Sequence, residues 1–123
     1  NPEEGLAEVA QCLAGLPQPL DAVVLGMGTD GHTASFFPAG DRLAEALDPA
    51  GAAAVLPMRA PGAGEPRVTL TLPLIAAAGR VYLHIEGAEK AAVLAAALRD
   101  GPVEAMPVRA VLRARPVEVY WCP

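Results

Sequence analysis

The chain has 123 residues, of which 53% are hydrophobic and 4% aromatic, and its formal net charge is −5. This length is typical of a single domain, and the high apolar content excludes disorder of the whole chain. The longest uninterrupted apolar run, residues 91–98, is far shorter than the roughly 18 residues that a membrane span requires. The basic residues are scattered, which argues against a nucleic-acid surface. The composition therefore predicts a soluble globular domain with neither a nucleic acid nor a membrane as partner.

The two cysteines, Cys12 and Cys122, stand at opposite ends of the sequence without the spacing of a metal site. Such sparse cysteines favour a reduced, cytoplasmic protein over a disulfide-stabilised secreted one. The chain begins at Asn1 rather than Met and shows no signal peptide, so its natural N-terminus is expected to lie elsewhere.

Apolar periodicity predicts helices and strands in alternation. A first helix at residues 3–16 precedes a strand at 21–25, whose continuous apolar run is typical of burial on both faces. A glycine-rich loop follows at residues 26–32, leading into a short helix at 33–37. Further elements are a helix at 42–47, strands at 52–58, 68–72, 80–85 and 117–121, and helices at 74–78, 88–98 and 107–113. This order indicates an α/β fold of the doubly wound, Rossmann-like kind with a mostly parallel sheet.

The glycine-rich loop matches the dinucleotide fingerprint G-x-G-x-x-G through Gly26, Gly28 and Gly31. That fingerprint also requires an acidic residue at the end of the next strand to hold a ribose, and no acid ends the strand at 52–58. Asp30 would moreover place a carboxylate where a pyrophosphate should lie. The sequence therefore argues against a nicotinamide cofactor.

What the loop offers instead is a carboxylate, Asp30, and an imidazole, His32, at the C-terminal end of a strand, where open parallel sheets bind ligands. Gly31 permits the tight turn that brings both to one crevice. If His32 lies in the first turn of the predicted helix, the helix dipole keeps its ring neutral and basic, whereas Asp30 favours the protonated ring or fixes its tautomer. The residues alone leave open which effect prevails, and whether the loop merely caps a helix.

Residues 21–38, DAVVLGMGTDGHTASFFP, closely resemble the signature of the 6-phosphogluconolactonases, which belong to the wider glucosamine-6-phosphate isomerase/6-phosphogluconolactonase superfamily. Residues 67–73, 87–90 and 119–121 match further family segments in the same order. The resemblance implies hydrolysis of 6-phospho-D-glucono-1,5-lactone to 6-phosphogluconate in the oxidative pentose phosphate pathway, with a sugar phosphate as the ligand and with no cofactor or metal.

The resemblance also implies that residues 1–123 are the C-terminal portion of the family's single domain. The N-terminal half of that domain, with its phosphate loop and an Asp-Glu-Arg segment, has no counterpart here. The missing half of the same protein is therefore an expected partner, and independent activity of residues 1–123 is not expected.

By this resemblance, His32 is the base that activates water and Asp30 orients His32 or holds a sugar hydroxyl. The amides of Gly28 and Gly31 would support the developing oxyanion. Lys90, the only lysine, stands in the first turn of the predicted helix 88–98, where a phosphate is favoured but a cation is not.

Lys90 and Arg67 are accordingly expected to bind the 6-phosphate. The alternatives are an exposed Lys90 paired with Glu86 or Glu89, and an Arg67 that is a surface charge beside Glu65.

Two other functions stay open. An isomerase of the same superfamily is expected to carry a glutamate five residues after the loop histidine, and this chain has Phe37 there. A non-catalytic sugar-phosphate sensor would have no need of a base such as His32. His84 is predicted to be a strand residue rather than a catalyst, and Phe36 and Phe37 are predicted to be core anchors.

Overall fold

The structure is a computed structural model that describes residues 1–123. In chain order its elements are α1 (Pro2–Ala14), β1 (Ala22–Leu25), α2 (Leu43–Ala46), β2 (Val55–Met58), β3 (Arg67–Leu70), α3 (Leu72–Ala76), β4 (Arg80–Glu86), α4 (Gly87–Ala97), α5 (Val108–Ala114) and β5 (Glu118–Cys122), with a short 3-10 turn at Pro61–Ala63. None of the helices is long and apolar enough to cross a membrane.

A three-stranded parallel sheet organises the chain, with β4 between β1 and β5. Leu25, the last residue of β1, pairs with Leu83 of β4, and β4 continues for three more residues to Glu86. The carboxyl ends of β1 and β4 therefore meet at one edge, where the residues that follow each strand come together. The predicted α/β class with a mostly parallel sheet is confirmed.

The strands β2 and β3 do not join this sheet but form a separate antiparallel pair, with Val55 opposite Leu70 and Met58 opposite Arg67. Apolar residues in a run predict that a strand exists, but they do not reveal the direction of its partner. Thr71 fixes the end of this pair, since its hydroxyl donates to the carbonyl of Ala53 at 2.6 Å and its amide donates to that of Ala54 at 3.0 Å.

One face of the parallel sheet carries the core and the other lies open. Along β4 the side chains of Val81, Leu83 and Ile85 are buried, whereas His84 between them is exposed. The prediction that the strand at 21–25 is buried on both faces is wrong for this chain, because Val24 is 69% exposed. The apolar run of β1 therefore includes a side chain that no other part of the chain covers.

The predicted helix at residues 33–37 is not formed. Thr33 and Phe36 instead make an isolated antiparallel bridge around Ala34, whose φ of 50° lies in the left-handed region. Tertiary hydrogen bonds hold this turn: the Thr33 hydroxyl donates to the carbonyl of Gly26 at 2.7 Å, and the Ser35 amide donates to the hydroxyl of Thr69 at 3.1 Å. Contacts with β3 and the preceding loop thus outweigh local helix propensity.

Helix α1 lies at the periphery, with no buried residue, and contacts β2 and β3. Glu3 binds the guanidinium of Arg59 at 2.5 and 2.9 Å, and this hydrogen bonding lowers the pKa of Glu3 from 4.5 to about 2. Both cysteines are free and exposed.

Arg109 of α5 is 7% exposed and binds the C-terminal end of α4. Its guanidinium donates to the carbonyls of Ala96, Ala97 and Pro102, each at 3.1 Å. The last turn of α4 contains no basic residue, so Arg109 supplies from another helix both the donors and the positive charge that a helix C-terminus favours.

Replacement of Arg109 by an uncharged side chain tests how much this cation contributes to stability. Arg109→Met is expected to lower the free energy of unfolding by about 2–3 kcal/mol, because three carbonyls at the end of α4, that of the buried Ala97 among them, lose a charged donor. Arg113→Met is the matched control, since the exposed Arg113 donates only to the carbonyl of Gly101. We expect the control substitution to lower the free energy of unfolding by less than about 1 kcal/mol, with urea titration as the measurement for both variants. Equal losses would contradict the capping role.

Candidate active site

The loop after β1 folds back on itself so that residue 28 contacts residue 32. The amide of Gly28 donates to the carbonyl of His32 at 2.9 Å, and the amide of Gly31 donates to the carbonyl of Gly28 at 3.0 Å. The carbonyl of Gly31 in turn accepts from the amide of Val108 at 2.9 Å, which fastens the loop to α5. The loop is therefore held from within and from the adjacent helix.

Asp30 and His32 form a hydrogen-bonded pair at the tip of this loop. The Nδ1 atom of His32 lies 2.5 Å from Oδ1 of Asp30, and the His32 amide donates to the same oxygen at 3.0 Å. Burial raises the pKa of the Asp30 carboxyl, but the amide and imidazole of His32 outweigh this effect and hold the pKa below its ordinary 3.8. Asp30 is thus a carboxylate that fixes Nδ1 as its partner, while Nε2 has no hydrogen-bond partner within the chain.

Gly28 is required by the imidazole beside it. A Cβ at this position would lie 2.2 Å from Cε1 and Nδ1 of His32 and 2.8 Å from Oδ1 of Asp30. A Cβ at Gly26, by contrast, would meet nothing within 4 Å. The absence of a side chain at Gly28 therefore makes room for the Asp30–His32 pair, whereas a side chain at Gly26 would not collide with the pair.

Gly31 adopts φ +82°, and a Cβ there would approach Met106 to 2.9 Å. The expected oxyanion role of Gly28 and Gly31 is not supported by this geometry, because both amides already donate inside the loop. The two glycines shape the loop rather than offer free donors. The expected effect of a helix dipole on His32 also falls away, because no helix follows the histidine.

Lys90 lies in the first turn of α4 and shares a cleft with His32. Its ammonium Nζ donates to the carbonyl of Met27, inside the glycine-rich loop at residues 26–32. Neither Glu86 nor Glu89 forms an ion pair with it, so the exposed-pair alternative is wrong. The cleft has a volume of about 360 Å³, within the range of small-ligand sites. It is lined by Val24, Leu25, Gly26, Met27, Gly28, His32, Ala34 and Lys90.

A larger depression of about 400 Å³ runs along α1, lined by Glu8, Val9, Cys12, Leu13 and Leu16. It brings together no acid–base pair of the kind that Asp30 and His32 form. The smaller cleft is therefore the better candidate site, because it combines an imidazole, an ammonium and the carboxyl end of a parallel strand.

Arg67 lies at the start of β3, outside the residues that line the cleft. Its guanidinium carbon lies 5.7 Å from the centre of the Phe37 ring, and Nη2 donates to the carbonyl of Ala63 at 3.0 Å. Glu65 does not pair with it. Arg67 thus belongs to the surroundings of the loop, and a direct ligand contact remains a prediction.

His84 lies on the open face of the sheet, with Nε2 3.6 Å from Glu86, as a strand residue rather than a member of the cleft. Sequence reasoning missed Trp121, whose indole nitrogen donates to the carbonyl of Gly87 at 2.8 Å, just before Lys90. The match at residues 119–121 contained that signal, but only the register of β5 beside β4 shows what the indole contacts.

The sequence matches the family described as Glucosamine-6-phosphate isomerases/6-phosphogluconolactonase over residues 1–121. The chain belongs to this family. The resemblance to this family that residues 21–38 show is thereby confirmed, and it extends over nearly the entire chain.

Individual members of the family are similar at the level of sequence and structure. The 6-phosphogluconolactonase of Mesorhizobium japonicum is 55% identical, over 98% of this chain and 51% of that protein. The 6-phosphogluconolactonase of Rhizobium meliloti is 57% identical, over 89% of this chain and 48% of that protein. A crystal structure of a 6-phosphogluconolactonase from Shewanella baltica superposes with a TM-score of 0.90 at 41% identity, covering 97% of this chain and 51% of that one.

The chain spans about half the length of the curated relatives that it matches. A monomeric glucosamine-6-phosphate deaminase, at 18% identity and a TM-score of 0.64, shares the fold. The fold alone therefore does not separate the two chemistries within the family, and the side chains of the loop must do so.

The steric argument at Gly28 gives a test that needs no enzyme assay. Gly28→Ala is expected to lower the free energy of unfolding by about 1–3 kcal/mol, since the imidazole and its carboxylate partner must move. Gly26→Ala is the control and is expected to be neutral or to stabilise by about 0.4–1 kcal/mol, because alanine restricts the unfolded chain. Urea titration of both variants measures the difference. A neutral Gly28→Ala would show that the pair does not occupy this space.

Proposed function

We propose that this chain is the part of a 6-phosphogluconolactonase that carries its catalytic histidine. The observation that supports it most directly is the sharing of one cleft by His32, held by Asp30 at 2.5 Å, and Lys90. Relatives whose names specify this activity reach 57% identity, which adds weight to the assignment. The proposed substrate is 6-phospho-D-glucono-1,5-lactone and the product is 6-phosphogluconate.

The proposed mechanism needs one base at a ring carbonyl. Nε2 of His32 accepts a proton from water while the water oxygen bonds to C1 of the lactone, which places negative charge on the carbonyl oxygen. Collapse of this intermediate re-forms the carbonyl and breaks the bond from C1 to the ring oxygen, which takes the proton from the imidazolium. Asp30 holds the Nδ1 proton throughout and stabilises the transient positive ring.

The proposed phosphate contact is Lys90. An ammonium has three donor hydrogens, and the carbonyl of Met27 engages one of them, which leaves two for an anion. The first turn of α4 adds a favourable partial positive charge. We include Arg67 as a second anion contact, although the Phe37 ring and the carbonyl of Ala63 are its partners within the chain.

The alternative within the family, aldose–ketose isomerisation with deamination, is less well supported. The position where that branch is expected to carry a glutamate is Phe37, which is 2% exposed and has no group that transfers protons. A sensor without turnover is the alternative outside enzymes, and the Asp30–His32 pair argues against it because ligand binding alone needs no oriented base.

We further propose that full activity needs residues beyond this chain, which spans about half of its lactonase relatives. The chain is then the C-terminal portion of the family's domain, and the other portion supplies additional phosphate contacts and covers the open sheet face. We place the protein in the cytoplasm, because both cysteines are free and exposed as a reducing compartment favours.

His32 carries the first kinetic prediction. His32→Asn in the full-length gene product is expected to lower kcat for the lactone by about 10²–10⁴-fold with little change in KM, because the base acts only in the transition state. The rate is measured as the excess over spontaneous hydrolysis in the same buffer. His84→Asn is the matched control and should stay near the parent rate. Retention of most of the excess by His32→Asn would remove this residue from the mechanism.

The second kinetic prediction concerns Lys90. Lys90→Met is expected to lower kcat/KM on the phosphorylated lactone by about 10–100-fold, mainly through KM, because a remote phosphate is bound equally in the ground and transition states. On unphosphorylated gluconolactone the loss should be much smaller. Arg99→Met, an exposed cation outside the cleft, is the control. Equal losses on both lactones would mean that Lys90 serves the loop through Met27 and not the phosphate.

A further inference from the structure

The ring of Phe37 stacks directly on the imidazole of His32. Their ring centres are 4.2 Å apart and their planes differ by 24°. Phe37 is 2% exposed, so its ring is fixed by the core on which it rests. Burial alone would suit any large apolar side chain, but the near-parallel contact with an imidazole specifically uses a flat aromatic face.

The hydrogen bond to Asp30 does not by itself orient the imidazole. A single contact at Nδ1 fixes one atom of the ring and lets the plane tilt about that contact. Gly28 adds no side chain that could restrain the ring, because a Cβ there would collide with it. A second contact on the ring face removes the tilt, and Phe37 makes that contact.

The support under Phe37 reaches beyond the loop. Arg67 at the start of β3 places its guanidinium carbon 5.7 Å from the Phe37 ring centre. The turn at Pro61–Ala63 also approaches, since a Cβ on Gly62 would lie 3.7 Å from Cδ1 of Phe37 and 3.2 Å from Oδ2 of Asp30. The antiparallel pair and the turn between its two strands thus approach the residues that hold the histidine.

We propose that Phe37 is a positioning residue: its ring fixes the plane of the His32 imidazole so that Asp30 holds Nδ1 while Nε2 stays available to the cleft. The orienting effect stands on the geometry of these three side chains. Its consequence for turnover rests on the proposed lactone hydrolysis.

The experiment compares Phe37 with its neighbour. Phe37→Leu and Phe37→Met remove the aromatic face, Phe37→Tyr keeps it, and Phe36→Leu is the matched control, because Phe36 is fully buried yet does not stack on His32. The full-length gene product is used throughout. NMR reads two signals of His32: the proton shifts of its ring, which report the stacking, and the shifts of its ring nitrogens, which report whether Nδ1 or Nε2 carries the proton. His84, the other histidine, is an internal reference outside the cleft.

We expect the His32 ring protons to be shifted upfield by Phe37 in the parent and in Phe37→Tyr, which confirms the stacking. In both non-aromatic variants we expect the nitrogen shifts to show a loss of the Nδ1–H form, because a tilted ring no longer keeps Nδ1 on Asp30. The kcat of those variants should fall about 10–100-fold with KM little changed, as expected when a catalytic group is misplaced by a fraction of an ångström to one ångström. Phe36→Leu should keep the His32 shifts and show a much smaller loss of kcat.

Unchanged His32 nitrogen shifts in Phe37→Leu and Phe37→Met would overturn the proposal. Equal losses of kcat in Phe36→Leu and Phe37→Leu would overturn it as well, because the effect would then come from general packing. If the parent hydrolyses no lactone, the proposed function fails, while the nitrogen shifts still decide whether Phe37 orients His32.

Discussion

The parallel pairing of β1 with β4 is the constraint on which the site depends. Residues 25 and 83 are far apart in sequence, yet their pairing brings the loop after β1 and the first turn of α4 to the same sheet edge. The loop contributes His32 and the helix contributes Lys90, whose ammonium links the two elements by donating to the carbonyl of Met27. Trp121 extends it from β5, since its indole holds the carbonyl of Gly87 where α4 begins.

Within the loop, space matters as much as hydrogen bonding. The absence of a side chain at Gly28 allows the imidazole to lie where Asp30 can reach it at 2.5 Å. The same carboxylate accepts the amide of His32, so one short segment holds the two partners together without help from a helix dipole. The depressed pKa of Asp30 follows, because the two donors outweigh the burial that opposes ionisation.

Most of the architecture could be predicted from the sequence, since apolar runs broken by glycine and proline reveal strands and helices locally. The motif at residues 26–32 also identified Asp30 and His32 correctly as neighbours. What failed depended on distant partners. The segment at 33–37 forms a turn because Gly26 and Thr69 bind it, and Val55–Met58 pairs antiparallel with Arg67–Leu70 although its apolar run is equally consistent with a parallel strand. The expectation of free amides at Gly28 and Gly31 is not met for a related reason, because both amides donate to carbonyls within the closed loop.

The same distinction explains why the sequence predicts Phe37 only as a core anchor. Its burial does fit that interpretation, but burial and service to the site are compatible in one side chain. One face of an aromatic ring can pack in the core while the other restrains an imidazole 4.2 Å away. Because the ring is rigid, any stiffness that the core confers on Phe37 passes to His32. A leucine of similar burial would fill the core without transmitting that restraint, so the choice of an aromatic residue at position 37 has a physical reason beyond volume.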